Sequence, residues 1–292
     1  MVKSSKSAPG NSPKPICPPL SLCPESFEMK KNCKFCLKEK ELIKAHIIPR
    51  CFWGPLIKQE GPIHIIPTNL RERESRSQIG EYDPELVCED CEEHFKILDN
   101  YACKFFMEDF DKLSAPIQNN DDRFLQIKNF DYEKLKLFFL SILWRASASE
   151  RGYYSQVDVG EIYEEKLKDM IQNKQPDKFK AFQIIVSKFK PSTYSTIMLS
   201  PTRYRVQGAR VYKFILGGFV AIIKVDQQPF SENLDFTSLK PNQPLYILQG
   251  DITELKEFHS SVQSIKKDII TLGKNLKFYL MRGERLRALS CS

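Results

Sequence analysis

The sequence predicts an α+β protein: an N-terminal zinc module, then helices, then an antiparallel, hairpin-rich sheet with a C-terminal helix. Three observations support this prediction. Two CxxC couplets lie in the first third of the chain, separated by a long insert. Apolar residues then recur at helical spacing, and from Phe182 onwards they alternate with a period of two.

Composition indicates a soluble protein, with 41% hydrophobic and 28% charged residues among 292. No run reaches the roughly 18 apolar residues of a membrane span. Residues 1–15 lack the apolar core of a secretory signal, so we expect a cytoplasmic protein. The net charge of +7 is concentrated in residues 1–60, where ten Lys and one Arg face five Glu. A basic end favours a polyanionic partner such as DNA, and a solubilising lysine-rich tail is the alternative.

Composition and periodicity also divide the chain into four regions. The first region is rich in Ser, Pro and Lys and has no apolar period, which is typical of a disordered arm. The predicted regions are a disordered basic arm at 1–28, a zinc module at 29–112, a helical region at 113–175 and a β-rich region with a C-terminal amphipathic helix at 176–292.

The two couplets predict one structural zinc site. Two residues between paired cysteines let a tight turn direct both sulfurs at one metal, and two such turns complete a tetrahedron. The alternative is two unrelated thiol pairs. The predicted ligands are Cys33, Cys36, Cys88 and Cys91. The sequence shows no signal for export to an oxidising compartment. We therefore expect the other cysteines to be reduced thiols: Cys17, Cys23, Cys51, Cys103 and Cys291.

The residues around the couplets predict a knuckle turn, a strand pair and a helix. Short extended pieces are expected at 42–43, 46–48 and 63–66, and the charged stretch 71–80 is expected to be a surface loop. A helix begins at Cys88 and continues through apolar residues at helical spacing. This order of elements is that of a treble-clef zinc module.

The middle of the chain predicts helices. Residues 113–129 resemble a linker, and Asp131 has the position of a helix N-cap. The helix that follows is apolar on most sides and includes Trp144. Within it, Arg145 is expected to pair with a carboxylate or to cap a carbonyl, with a contact to nucleic acid as the alternative. A second helix is predicted at 158–173.

The C-terminal half predicts strands joined by tight turns. Gly217-Gly218 is a strong two-residue hairpin signal, and Gln207-Gly208 is a second turn candidate. Apolar residues at alternating spacings of three and four then form a helical seam at 255–276, which packs on the sheet or joins two chains as a homodimer. The predicted strands are 182–187, 196–199, 203–206, 211–216 and 219–223.

Four short motifs together suggest a family: Cys33-x-x-Cys36, His46-Ile-Ile-Pro49, Asn69-Leu70 and Leu86-Val-Cys88-x-x-Cys91. Over about residues 30–110 the chain resembles the zinc-containing HNH endonucleases, which are treble-clef, or ββα-metal, nucleases. The resemblance implies hydrolysis of DNA phosphodiester bonds, for example in defence against foreign DNA.

The resemblance also implies roles for single residues. The cysteine tetrad would be structural, and a separate divalent ion (Mg²⁺, Mn²⁺, Ni²⁺ or Zn²⁺) would steady the scissile phosphate. His46 would be the general base that activates water, since the pKa of an imidazole lies near neutral pH. Asn69 would orient the loop or the base.

The chain departs from the family at the metal ligands. Ala45 stands where an aspartate is usual, and Glu92 follows the second couplet in place of His or Asn. A carboxylate set is expected to replace the missing aspartate, with Glu92, Asp99 and His94 as candidate ligands of the catalytic metal. The alternative for Glu92 and Asp99 is that they are ordinary surface acids of a helix.

Three classes of function therefore remain open on the sequence. The first is an HNH-type metal-dependent nuclease. The second is a catalytically degenerate zinc module that only binds nucleic acid, which Ala45 favours. The third is a zinc-stapled module for protein interaction, in which the C-terminal sheet and helix carry the function.

Overall fold

The computed structural model describes residues 31–60, 63–65, 75–77, 80–118, 121–178, 181–191 and 198–251. The predicted arm at 1–28, Asn69 and the seam at 255–276 lie outside these residues. In the described part no helix is long and apolar enough to cross a membrane.

The N-terminal part combines short strands with two helices. Its strands are β1 Lys31–Asn32, β2 Glu39–Lys40, β3 Leu42–His46, β4 Ile63–Ile65, β5 Ser75–Ser77 and β6 Tyr82–Cys88. Its helices are α1 Arg50–Glu60 and α2 Glu89–Cys103, and α2 continues as a π-helical turn, Lys104–Asp109, and a short α3, Phe110–Leu113.

The strand pairing of this part corrects the sequence prediction. The predicted pieces at 42–43 and 46–48 become one strand, β3, which ends at His46, and α1 follows after a short bend. β3 pairs with β6 and not with the predicted piece at 63–66, where β4 lies and pairs with β5. The insert between β3 and β6 carries α1, a helix that the sequence pattern did not predict.

The remainder of the chain forms helices and one large sheet. The helices are α4 Tyr132–Ala148, a 3₁₀ turn Gly152–Tyr154, α5 Glu161–Asn173 and α6 Glu232–Phe236. The strands are β7 Ser114–Gln118, β8 Asp121–Ile127, β9 Ile184–Phe189, β10 Thr202–Val206, β11 Ala209–Leu216, β12 Phe219–Lys224 and β13 Leu245–Gly250.

The large sheet has seven strands in the order β10-β11-β12-β9-β13-β8-β7. All neighbours are antiparallel except β13 and β9, which run parallel. The stretch 113–129, predicted as a linker, supplies β7 and β8. The predicted helical region and the predicted β-rich region thus share one sheet. Of the predicted strand 196–199, the described residues Met198 and Leu199 form no strand.

Two local predictions are confirmed. Gly217 and Gly218 turn β11 into β12 with φ of 55° and 99°, and Gln207 and Gly208 turn β10 into β11 with φ of 51° and 87°. Positive φ at both central residues is what a two-residue hairpin requires. A Cβ on Gly217 would lie 2.9 Å from the backbone oxygen of Phe52, so this turn also packs closely on α1.

Helix α4 is the centre of the core. Asp131 caps it as predicted, since its carboxylate accepts a hydrogen bond from the backbone N–H of Lys134 at 3.0 Å. Residues 135–146 are all buried, because α2 and α5 flank this helix and the sheet lies beside it. A helix apolar on nearly every side must be surrounded by protein, and α4 positions Arg145 beside the N-terminal part.

Candidate metal centre and neighbouring polar cluster

The first couplet lies in a knuckle between β1 and β2. The backbone N–H of Leu37 donates to the carbonyl of Cys33 at 2.8 Å, and the N–H of Cys33 donates to the carbonyl of Lys38 at 3.0 Å. Leu37 takes a left-handed φ of 61°, which closes the turn around Cys36. A hydrogen bond from Lys34 N–H to the Leu86 carbonyl, 3.0 Å long, joins the knuckle to β6.

The second couplet lies where β6 becomes α2. Cys88 is the last residue of β6 and the N-cap of α2, with φ −83° and ψ 167°, and Cys91 lies in the first helical turn. The N-terminus of a helix stabilises negative charge. For Cys88 and Cys91 this effect opposes burial, which favours the thiol form and raises the pKa of both side chains.

The four sulfurs converge on one point. The Sγ–Sγ distances are 3.7 Å for Cys33–Cys91, 3.9 Å for Cys36–Cys88 and 3.6 Å for Cys88–Cys91, and all four atoms lie within 4.8 Å of one another. Four thiolates about 2.3 Å from a tetrahedral zinc ion would lie about 3.8 Å apart. The cluster can therefore hold a metal such as zinc.

Burial, hydrogen bonds and neighbouring sulfurs shift the pKa values of the clustered cysteines. Burial pushes the pKa of Cys33 upwards, but backbone hydrogen bonds, including one from the Cys88 N–H at 3.4 Å, bring that pKa down to about 7. Burial raises the pKa of Cys88. Burial and the neighbouring sulfurs both raise the pKa of Cys91. A bound cation would offset the repulsion between negatively charged sulfurs.

The other described cysteines are not reduced thiols. Cys51, in the first turn of α1, and Cys103, the last residue of α2, form a disulfide with Cα atoms 5.8 Å apart. The expectation of reduced thiols is therefore wrong for this pair. It rested on the absence of an export signal, whereas the fold brings the two helix ends within disulfide range.

His46 is the last residue of β3 and lies on the same face of the β3–β6 pair as Lys44. Alternate residues of a strand share a face, and both side chains lie beside Tyr82 of β6. The His46 and Tyr82 ring centroids are 6.4 Å apart, and Lys44 Nζ lies 5.6 Å from the Tyr82 centroid. His46 is half-buried and Lys44 is exposed. The Tyr82 ring therefore has the His46 imidazole and the Lys44 ammonium as neighbours.

Behind His46 lies a buried ion pair. Arg145 Nη1 donates to the backbone carbonyl of His46 at 2.7 Å and to Asp99 Oδ2 at 2.9 Å, and Nη2 donates to Asp99 Oδ1 at 2.7 Å. Nη2 also donates to Ser141 Oγ at 3.1 Å, and the guanidinium lies 4.9 Å from the Phe95 ring centroid. Arg145 therefore pairs with a carboxylate and caps a carbonyl, as the sequence predicts.

This pair removes Asp99 from the expected ligand set, since both of its carboxylate oxygens accept from Arg145. Burial raises the pKa of Asp99 against the opposing attraction of Arg145 and, more weakly, of His46. The Asp99 carboxylate thus joins α2 to α4 through Arg145, which also binds the end of β3.

The two remaining candidates lie on different sides of α2. Glu92 is half-buried, its Oε2 has no hydrogen-bond partner, and burial raises the pKa of its carboxyl despite the nearby Arg145. His94 is exposed, with Nδ1 2.8 Å from the Asp90 carbonyl oxygen. Among the described residues, the cysteine tetrad is the one group of three or more His, Cys, Asp or Glu arranged as metal ligands. Glu92 and His94 therefore do not complete a second metal site.

No protein-family model, no curated protein and no solved structure matches this chain.

Proposed function

We propose that the N-terminal part is a zinc-containing treble clef of the HNH type and that the protein cleaves DNA with His46 as general base. The observation that carries the proposal is the joint placement of the tetrad and His46. A knuckle, the antiparallel β3–β6 pair and α2 surround four sulfurs at zinc spacing, and this arrangement supports the proposal. His46 is the last residue of β3.

The surroundings of His46 suit a role on a phosphodiester. Lys44 offers a positive charge on the same face, and Tyr82 offers a ring beside it. Arg145 holds the His46 backbone through its hydrogen bond to the carbonyl. A neutral imidazole there can accept a proton from water attacking phosphorus.

The expected divalent ion would have Glu92 as its ligand from α2, because Glu92 Oε2 is a buried carboxylate oxygen without a partner. Asp99 is excluded by its pair with Arg145. Since one carboxylate does not make a site, we assign no step of the reaction to this ion.

The test is plasmid cleavage by wild-type protein and by His46→Ala, with Mg²⁺, Mn²⁺, Ni²⁺ or EDTA. We expect divalent-dependent nicking that falls by about 100-fold or more in His46→Ala, the range for loss of a general base. His94→Ala is the matched control, since His94 is an exposed histidine of the same module. It should cut like wild type. A folded wild-type protein that never cuts DNA contradicts the proposal.

A second function is favoured by the Arg145–Asp99 pair, which removes one of the carboxylates expected as ligands of a catalytic metal. In this alternative the module binds nucleic acid without cutting it. Affinity would then fall steeply with salt, be insensitive to His46→Ala and be weakened by Lys44→Ala. Fluorescence anisotropy with labelled duplex DNA at low and moderate salt separates the two. Absence of binding at both salts argues for the third class, protein interaction.

A further inference from the structure

The Cys51–Cys103 disulfide ties the residues that follow His46 to α2. Cys51 lies five residues after His46, in the first turn of α1, and Cys103 is the last residue of α2. One turn earlier on α2, Asp99 binds Arg145, which in turn binds the His46 carbonyl. The end of β3 is therefore joined to α2 twice, once through the ion pair and once through the disulfide.

The disulfide can open without loss of the core contacts of α1. Phe52 and Trp53, which follow Cys51 directly, are at most 2% exposed, and the Trp53 indole N–H donates to the Ile48 carbonyl at 3.2 Å. The largest contact of α1 with another helix or strand, by contrast, is with the three-residue β4. Segments with few such contacts open locally at low cost. Reduction of the disulfide should therefore loosen residues 47–51 while the core of the protein stays folded.

The disulfide is also placed for attack by a thiolate. Cys51 and Cys103 are both half-buried, so a reductant reaches these sulfurs more readily than it reaches a disulfide in the core. Exposed cations adjoin both cysteines, with Arg50 before the first and Lys104 after the second. Positive charge attracts the attacking thiolate and stabilises the thiolate that leaves. Exposed disulfides are in general the labile ones.

The two cysteines differ as leaving groups. Cys51 lies in the first turn of α1, which contains no acidic residue, and the N-terminus of a helix stabilises negative charge. Cys103 lies at the opposite end of its helix, α2. Because the sulfur whose thiol has the lower pKa leaves faster, we expect attack at Cys103 Sγ with Cys51 as the leaving thiolate.

We propose that the Cys51–Cys103 disulfide is a redox switch: the oxidised form holds the end of β3 at His46 in place, and a dithiol reductant releases it. One thiolate of the reductant attacks Cys103 Sγ, the S–S bond breaks, and Cys51 leaves as a thiolate that takes up a proton. The second thiol of the reductant then attacks the mixed disulfide and displaces Cys103 as a thiol. The reductant ends as a disulfide, and two electrons have passed to the protein.

The test treats the full chain with reduced dithiothreitol and follows hydrogen–deuterium exchange by mass spectrometry, with zinc content measured alongside. Alkylation of Cys51 and Cys103 reports opening of the disulfide. We expect amides in 47–53 to exchange about tenfold or more faster in the reduced protein, while those in the buried part of α4, 135–146, stay unchanged. Cys51→Ser/Cys103→Ser should exchange like reduced wild type with or without dithiothreitol.

The effect on activity rests on the proposed function and is measured separately. Plasmid cleavage should fall by about tenfold or more on reduction, since small misplacement of a catalytic group costs at least that much. If reduction speeds exchange in 47–53 but neither form cuts DNA, the redox switch stands and the nuclease proposal fails.

The flanking cations give a second test. Arg50→Gln/Lys104→Gln should slow the opening of the disulfide by dithiothreitol by about threefold or more, because it removes the positive charge beside both sulfurs. Lys112→Gln is the matched control, since Lys112 is an exposed lysine of the nearby α3. Its disulfide should open at the wild-type rate.

Three results would overturn the proposal. One is a disulfide that dithiothreitol opens only when the whole protein unfolds, which makes it a structural crosslink. Another is opening that leaves either the exchange of 47–53 or a measurable rate of DNA cleavage unchanged. The third is a pair of thiols at Cys51 and Cys103 that forms no disulfide in air once the reductant has been removed.

Discussion

At the scale of single residues, Arg145 is the side chain on which the N-terminal part depends. It is fully buried on α4, yet its hydrogen bonds reach the Asp99 carboxylate on α2 and the His46 carbonyl at the end of β3. A buried ion pair with good geometry contributes little net stability, but removal of one partner leaves an uncompensated charge. Arg145 therefore links three elements.

Replacement of Arg145 should accordingly destabilise the protein strongly. We expect Arg145→Met to lower the free energy of unfolding by about 3–5 kcal/mol, because Asp99 stays buried without its partner. The double variant Arg145→Met/Asp99→Leu should recover much of that loss. Urea denaturation followed by tryptophan fluorescence measures both. Lys96→Met, which removes an exposed pair with Glu93, is the control and should cause no measurable change. An Arg145→Met variant as stable as wild type would contradict this prediction.

The sequence predicts that Arg145 has a polar partner but not which residue that partner is. A charged residue inside an apolar helix must find a counter-charge or carbonyl, so pairing could be expected from the sequence alone. Which acid it meets depends on how α2 and α4 pack. For that reason Asp99 could be taken for a metal ligand until the packing was known.

At the scale of elements, α4 begins at a capped N-terminus. Partial burial pushes the pKa of Asp131 upwards, but the hydrogen bonds and charge of Lys134 outweigh burial, so the pKa of Asp131 lies below its ordinary value. A lowered pKa means that the ionised carboxylate stabilises the folded state. This contribution is complete above the unfolded pKa and is lost as pH falls through the folded pKa.

Asp131→Ala should therefore lower the free energy of unfolding by about 1 kcal/mol at neutral pH. Asp131→Asn keeps a capping oxygen and should lose less. The difference between wild type and Asp131→Asn should shrink as pH falls below about 4, where the wild-type carboxylate becomes protonated. Thermal unfolding of the three proteins across that pH range tests this. A difference that stays constant with pH would show that charge plays no part in the cap.

Elements with local signals could be predicted, and elements defined by distant partners could not. The two hairpin turns need only the chemistry of Gly217-Gly218 and Gln207-Gly208, and α4 needs only its apolar period. β7 and β8 are strands because β8 pairs with β13, more than a hundred residues away. Their polar sequence, interrupted by Pro116, instead resembles a linker.

At the scale of the whole molecule, one sheet spans the predicted regions. The strand order places β13 between β9 and β8. Strands that precede α4 in the chain therefore lie in the same sheet as strands that follow α5. Hydrophobic pattern predicts the class of fold but not this order, since strand pairing between distant segments leaves no local trace. The Cys51–Cys103 disulfide depends on the same long-range packing.

We predict that the four cysteines form a metal centre on which the folding of the N-terminal part depends. Elemental analysis of purified protein tests this prediction with wild type, Cys88→Ala and, as a matched control, the disulfide variant Cys51→Ala/Cys103→Ala. We predict about one zinc ion per chain in wild type and in the control, and loss of zinc with unfolding of the module in Cys88→Ala. Wild-type protein that is folded and contains no metal would contradict the prediction.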